Sequence, residues 1–235
     1  MIRAVLFDFN GVLVDDEPIH LEVFQRILAE EGIALSADDY WTRYLGLDDR
    51  SSFAAVLGSA GRTATVPLLM RLVARKAAYY QEHVRRGGYP FFPGAVELVG
   101  ALAGRGRMLG VVSGALREEV EGALRQAGLL DRFKVLVTAE DVTEGKPDPE
   151  GYLKALESLN AHPPLPERLL HPHEVLAVED SPAGLAAAAE VGFPTLGVAH
   201  TFPAGRLHEA DTVVASLRDL TPDRLDRLFA EASRQ

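Results

Sequence analysis

Asp8 ends the apolar run Ala4-Val5-Leu6-Phe7, and Gly11 follows three residues later. A β-branched and aromatic run that stops on an acid and then a glycine reads as a buried strand ending in a turn. A carboxylate in that place is costly unless it is paired or used, so Asp8 is a candidate nucleophile or metal ligand; the alternative is an acid that caps the turn. The run Val175 to Val178 ends in the same way on Glu179-Asp180. Adjacent carboxylates repel, and a cation explains the pair best. Ser113 follows the apolar run Met108 to Val112, and Lys146 lies in the stretch after Val135 to Thr138. If those runs are neighbouring parallel strands, their carboxyl ends bring Asp8, Ser113, Lys146 and Glu179-Asp180 to one edge of a sheet, where open α/β sheets hold their ligands.

The elements that must position these residues fall into two groups. After Asp15, the Glu17-Pro18 pair and the spacing of Ile19, Val23, Phe24, Ile27 and Leu28 predict an amphipathic helix ending near Gly32. Further helices are expected from a capped start at Ser36 to Tyr44, from Asp48 to Leu57 and from Val66 to Val84, and nothing between Asp16 and Gly88 reads as a strand. Residues 16–88 are therefore expected to form an all-helical cap domain inserted into a core made of residues 1–15 and 89–235. Beyond Pro90 helix and strand alternate. Helices are expected from Pro93 to Leu102, Leu116 to Ala127, Asp148 to Leu159 and Ser181 to Val191, and short strands at Thr195 to Val198 and Thr212 to Val214. That rhythm predicts an α/β core: a Rossmann-like parallel sheet with helices on both faces.

The stretch Asp8-Phe9-Asn10-Gly11-Val12-Leu13-Val14-Asp15-Asp16 resembles the opening signature of the haloacid dehalogenase-like hydrolases. Val111-Val112-Ser113-Gly114, Gly145-Lys146-Pro147-Asp148-Pro149 and Val178-Glu179-Asp180-Ser181-Pro182-Ala183-Gly184 resemble the later motifs of that family, in order. The helical insert resembles the small cap of the phosphoglucomutase-like branch. The resemblance implies that Asp8 attacks phosphorus to form an aspartyl-phosphate, with Lys146, Ser113 and the backbone N–H groups around Gly11 and Gly114 holding the phosphoryl oxygens. It implies a Mg²⁺ ion bridging Asp8, the backbone carbonyl of Asn10 and Asp180, supported by Glu179. Two positions depart from the pattern. Asn10 stands where these phosphatases have a second Asp, and an amide keeps a main-chain ligand but cannot transfer protons near neutral pH. Asp16 stands where Ser or Thr is usual, so Asp16 or His20, one helical turn on, could take over that work; Asp16 could equally cap the first cap helix. Gly46-Leu47-Asp48-Asp49-Arg50 resembles the cap loop that meets substrate, making Arg50, with His20, a candidate substrate contact. Arg117 is an alternative. Phe91-Phe92 and Tyr79-Tyr80 are expected to pack, and His162, His171 and His173 to lie in a solvated loop.

A net charge of -10, with 47% hydrophobic and 25% charged residues, suits a globular protein and argues against a nucleic-acid surface. Cysteine is absent, which excludes disulfides, thiolate zinc and a cysteine nucleophile. No apolar run reaches bilayer length and no signal-peptide core develops before Asp8, so a cytoplasmic monomer or weak homodimer without membrane contact is expected. The leading expectation is a Mg²⁺-dependent phosphatase of a small phosphorylated metabolite. Rivals are a sugar-phosphate mutase on the same scaffold and, because of Asn10, a low-activity protein that binds phosphorylated ligands. A dehalogenase would leave the cation-seeking pair Glu179-Asp180 unexplained.

Overall fold

The structure is a computed structural model and describes residues 2–163, 165–218 and 220–232. The chain divides into two compact units, Met1–Asp15 with Pro90–Gln235, and Asp16–Tyr89.

The first unit is built on a six-stranded parallel sheet: β1 (Ala4–Phe7), β2 (Met108–Val112), β3 (Val135–Val137), β4 (Val175–Glu179), β5 (Thr195–Val198) and β6 (Thr212–Val214), in the order β3-β2-β1-β4-β5-β6. The first strand is central, as its unbroken apolar run required, and all of its residues are buried. The order reverses between β1 and β4, the place where open α/β sheets hold their ligands.

The second unit is all-helical. It comprises α1 (Glu17–Glu30), a short α2 (Ala37–Asp39) that continues into a π-helical turn (Tyr40–Tyr44), α3 (Asp49–Ser59) and α4 (Val66–Gly87). Its core is its own: Val23, Phe24, Ile27, Leu28, Phe53 and Leu72 pack together at helical spacing. The helix expected from Ser36 to Tyr44 begins as the capping residue dictates, with Ser36 Oγ accepting from Asp39 N–H. It then widens, so that Leu45 N–H bonds the Tyr40 carbonyl five residues back.

Helices α5 (Ala95–Gly104), α6 (Arg117–Gln126), α7 (Glu150–Ala161) and α8 (Pro182–Val191) return to the first unit. Tyr152, Ala155 and Leu159 of α7 pack with Leu6, Val112, Val137 and Ala177 of the sheet. The α7 helix starts at Glu150, one residue past the Pro149 expected at its first position, because Asp148 accepts from Glu150 N–H at 2.9 Å and holds a turn in front of it. A further helix, α9 (Pro222–Ala232), has no counterpart in the sequence reading; it buries Leu225 and Phe229. Among the described residues no helix is long and apolar enough to cross a membrane.

Candidate active site

Asp8 is the first residue beyond β1, and its N–H donates to the Val178 carbonyl at 2.9 Å. That bond fastens the end of β1 to the end of β4 and sets Asp8 beside Glu179 and Asp180. The three carboxylates each offer an oxygen, all within 4.8 Å of one another. Lys146 reaches into the group: Nζ donates to Asp8 Oδ1 at 2.9 Å and to the Val112 carbonyl at 2.8 Å, and pairs with Glu179 Oε1 at 2.5 Å. One ammonium thus ties together the ends of β1, β2 and β4.

The cage shapes the protonation of its members. Burial works against the Lys146 ammonium, but Asp8 and Glu179 outweigh it and hold the group protonated well above neutrality. Burial pushes the Glu179 carboxyl up to about 7, with Lys146 opposing that shift and Asp8 adding to it. Burial also raises Asp180, reinforced by the charges of Asp8 and Glu179. Three carboxylates against one ammonium leave excess negative charge in a buried, all-oxygen setting. That donor set fits a hard divalent cation, which would relieve the repulsion raising Asp180.

Two glycines make the arrangement possible. Gly11 has φ 77°, and a Cβ there would lie 1.9 Å from Asp180 Oδ2, so the carboxylate occupies the space a side chain would need. Its N–H donates to the Val14 carbonyl at 2.9 Å, closing the turn that carries Asn10. Gly184 in the first turn of α8 leaves room for Glu179, whose carboxylate would lie 2.0 Å from an added Cβ. Ser181 caps that helix, accepting from Gly184 N–H at 3.1 Å.

Ser113 is buried at the end of β2, one residue past the carbonyl that Lys146 binds, and Oγ accepts from Ala115 N–H at 3.1 Å. It is not the cap of α6, whose preceding residue is Leu116; Gly114 beside it is exposed. Arg117 donates to Asp141 Oδ2 and to the Leu136 carbonyl, which commits it to bracing the end of β3.

Asp16, His20 and Arg50 belong to the helical unit. Asp16 occupies the position before α1 but makes no capping bond there. Its buried carboxylate accepts from the Tyr80 hydroxyl at 2.5 Å and lies 3.3 Å from His20 Nε2. The imidazole stacks on Tyr80 at 4.9 Å. Burial and Lys76 oppose protonation of His20, yet Asp16 and Glu17 leave its pKa above the usual value. Arg50 is exposed on α3, and the preceding Asp48 caps that helix by accepting from Ser51 N–H at 3.0 Å.

Three residues at the sheet edge escape the motif reading. Tyr152 is fully buried on α7 and donates its hydroxyl to Glu179 Oε1, with Lys146 Nζ 5.5 Å from its ring centroid. His200 and Thr201 follow β5: His200 Nδ1 lies 2.9 Å from the Gly11 carbonyl, and the Thr201 hydroxyl bonds the Asp180 carboxylate. The signal for the latter two was position, since β5 ends at the same edge as β1 and β4.

Residues 5–198 match the family model described as haloacid dehalogenase-like hydrolase. Among curated proteins, the chain is 32% identical over 231 residues to validoxylamine A 7'-phosphate phosphatase of Streptomyces hygroscopicus subsp. limoneus, covering 95% of this chain and 97% of that protein. It is 27% identical over 224 residues to a phosphoglycolate phosphatase of Yersinia pseudotuberculosis, covering 94% and 92%. Among solved structures, a β-phosphoglucomutase from Clostridium difficile superposes with a TM-score of 0.84 at 21% identity, covering 100% of both chains. The match across most of the chain, joined to the strand-end carboxylates and lysine, makes this protein a member of the haloacid dehalogenase-like hydrolases.

Proposed function

We propose that the protein hydrolyses phosphate monoesters of small metabolites through an aspartyl-phosphate on Asp8, with Mg²⁺ as cofactor. The observation that carries this reading is the Asp8 carboxylate held at 2.9 Å by a protonated Lys146 beside Glu179 and Asp180. The curated relatives named above act, by their names, on phosphorylated small molecules, which supports the same substrate class.

Phosphoryl transfer asks for an in-line oxygen and for positive charge around the equatorial oxygens. In the proposed reaction an Asp8 oxygen attacks phosphorus as the bond to the leaving oxygen breaks, and water then attacks the aspartyl-phosphate to release phosphate and restore Asp8. Lys146 pairs with Asp8 and meets the phosphoryl charge; Ser113 and the N–H groups near Gly114 orient the transferred group. Asp8, Asp180 and the Asn10 carbonyl would hold the Mg²⁺, with Glu179 behind them, and the ion when bound supplies further neutralisation of the phosphoryl oxygens. Arg50 and His20 are assigned to the substrate's distal groups. Asn10 cannot protonate the leaving oxygen, so esters with acidic leaving groups are favoured unless Asp16 or His20 provides the proton.

A panel of phosphate esters assayed with Mg²⁺ and with chelator tests the reading. Turnover that requires Mg²⁺ and falls at least ~10³-fold in Asp8→Asn supports it, a loss in keeping with removal of a covalent nucleophile. Turnover that persists with chelator, or in Asp8→Asn, overturns it.

A further inference from the structure

We infer that His200 and Thr201, in the loop after β5, are positioning residues that hold the main-chain and side-chain ligands of the cation site in register. The inference rests on the reading that Asp8, Asp180 and the Asn10 carbonyl bind a divalent cation.

The two side chains act on different partners. His200 Nδ1 lies 2.9 Å from the carbonyl oxygen of Gly11; a carbonyl only accepts, so the ring donates Nδ1–H and the bond fixes the tautomer. The ring is itself anchored, stacked on Phe92 with centroids 3.8 Å apart and planes 15° from parallel. Thr201 donates its hydroxyl to the Asp180 carboxylate, and its Oγ1 lies 2.6 Å from the place a Cβ of Gly11 would take. Gly11, Asp180 and Thr201 therefore fill one small space, with the His200 ring bound to the carbonyl of the same glycine.

The consequence for a main-chain ligand follows from peptide planarity. The Asn10 carbonyl and the Gly11 N–H share one rigid trans unit and point in opposite directions. The Gly11 N–H is held by the Val14 carbonyl at 2.9 Å, and the next peptide is held at its carbonyl by His200. With both units fixed, the Asn10 carbonyl keeps one direction even though Gly11 has the conformational freedom to turn away. The Thr201 bond does for the Asp180 carboxylate what the His200 bond does for the turn. Partners of this kind, one step removed from a metal, orient its ligands, and their loss typically weakens binding ~10- to 100-fold.

Near-isosteric pairs of variants separate positioning from packing. His200→Phe keeps the stack on Phe92 and removes the donor; His200→Asn returns a donor without the ring. Thr201→Val removes the hydroxyl at equal volume, and Thr201→Ser restores it. Mg²⁺ alone is titrated into each purified protein by calorimetry, with Mn²⁺ as a second probe, and thermal unfolding is recorded in chelator. The expected result is binding about tenfold weaker or more in His200→Phe and Thr201→Val, and recovery to within about threefold of the parent in His200→Asn and Thr201→Ser, with every variant still unfolding cooperatively in chelator. Parent-like cation binding in the Phe and Val variants overturns the inference while leaving the cation site intact. Equal losses in each conservative partner also overturn it. A parent that binds neither ion refutes the cation site and this inference together. Should one of the four variants fail to fold, the pair at the other position decides.

Discussion

Asn10 and Asp8 divide the chemistry at the residue scale. In the proposed reaction Asp8 supplies the nucleophile, whereas the amide at position 10 supplies only its main chain. If a proton donor is what the site lacks, Asn10→Asp raises turnover of alkyl phosphates by ~10²-fold or more and leaves acyl or activated aryl phosphates within a few-fold, the usual span of general acid catalysis. Parallel kinetics on the two ester classes check this, after peptide mapping has excluded deamidation of the Asn10-Gly11 pair in the parent; no gain on alkyl esters would mean that another group already provides the proton. Gly184→Ala tests the Glu179 cradle. Its added Cβ falls 2.0 Å from the Glu179 carboxylate, so the expected outcome is a lowered unfolding temperature and weakened Mg²⁺ binding. Asp8, Glu179 and Asp180 were legible because they sit where apolar runs end, and burying a charge there demands a reason; Lys146, in a loop well past β3, was legible only from its motif. Tyr152 was not, because a tyrosine on the apolar face of a helix looks like any core aromatic until its hydroxyl is seen on Glu179.

Elements set what those residues can reach. The parallel strands were legible from their unbroken apolar runs, and the first α-helix from its i, i+4 spacing. The π-helical turn at Tyr40–Tyr44 was not, since the widening depends on how Tyr40 and Tyr44 are buried among Phe24, Phe53 and Val56 rather than on local preference. The same holds for Asp16, which has the sequence position of a cap but spends its carboxylate on Tyr80 and His20 instead. Tyr80→Phe is therefore expected to destabilise the protein by about 1–3 kcal/mol, because it strips a donor from a buried carboxylate without changing the packing. Urea unfolding of the variant checks this; a loss below about 0.5 kcal/mol would mean that Asp16 is satisfied without the hydroxyl.

For the molecule as a whole, acid is the informative perturbation. Glu174, just before β4, accepts from Arg168 at 2.6 and 2.8 Å, and those bonds hold its carboxyl at about 2, below the usual 4.5, against the opposing effect of burial. Its folded pKa is lowered, so its contribution to stability is present above about 4.5 and is lost as pH falls toward about 2. Glu174→Gln should flatten part of the fall in urea midpoint across that window; an unchanged pH profile would contradict the assignment. The central claim concerns Asp8. Rapid acid quench of the parent with a phosphate ester and Mg²⁺, followed by peptide mass mapping, tests it most directly. The account predicts one phosphoryl group on Asp8 of the parent and none in Asp8→Asn. Phosphoryl transfer to any other residue, or full turnover in Asp8→Asn, would contradict it.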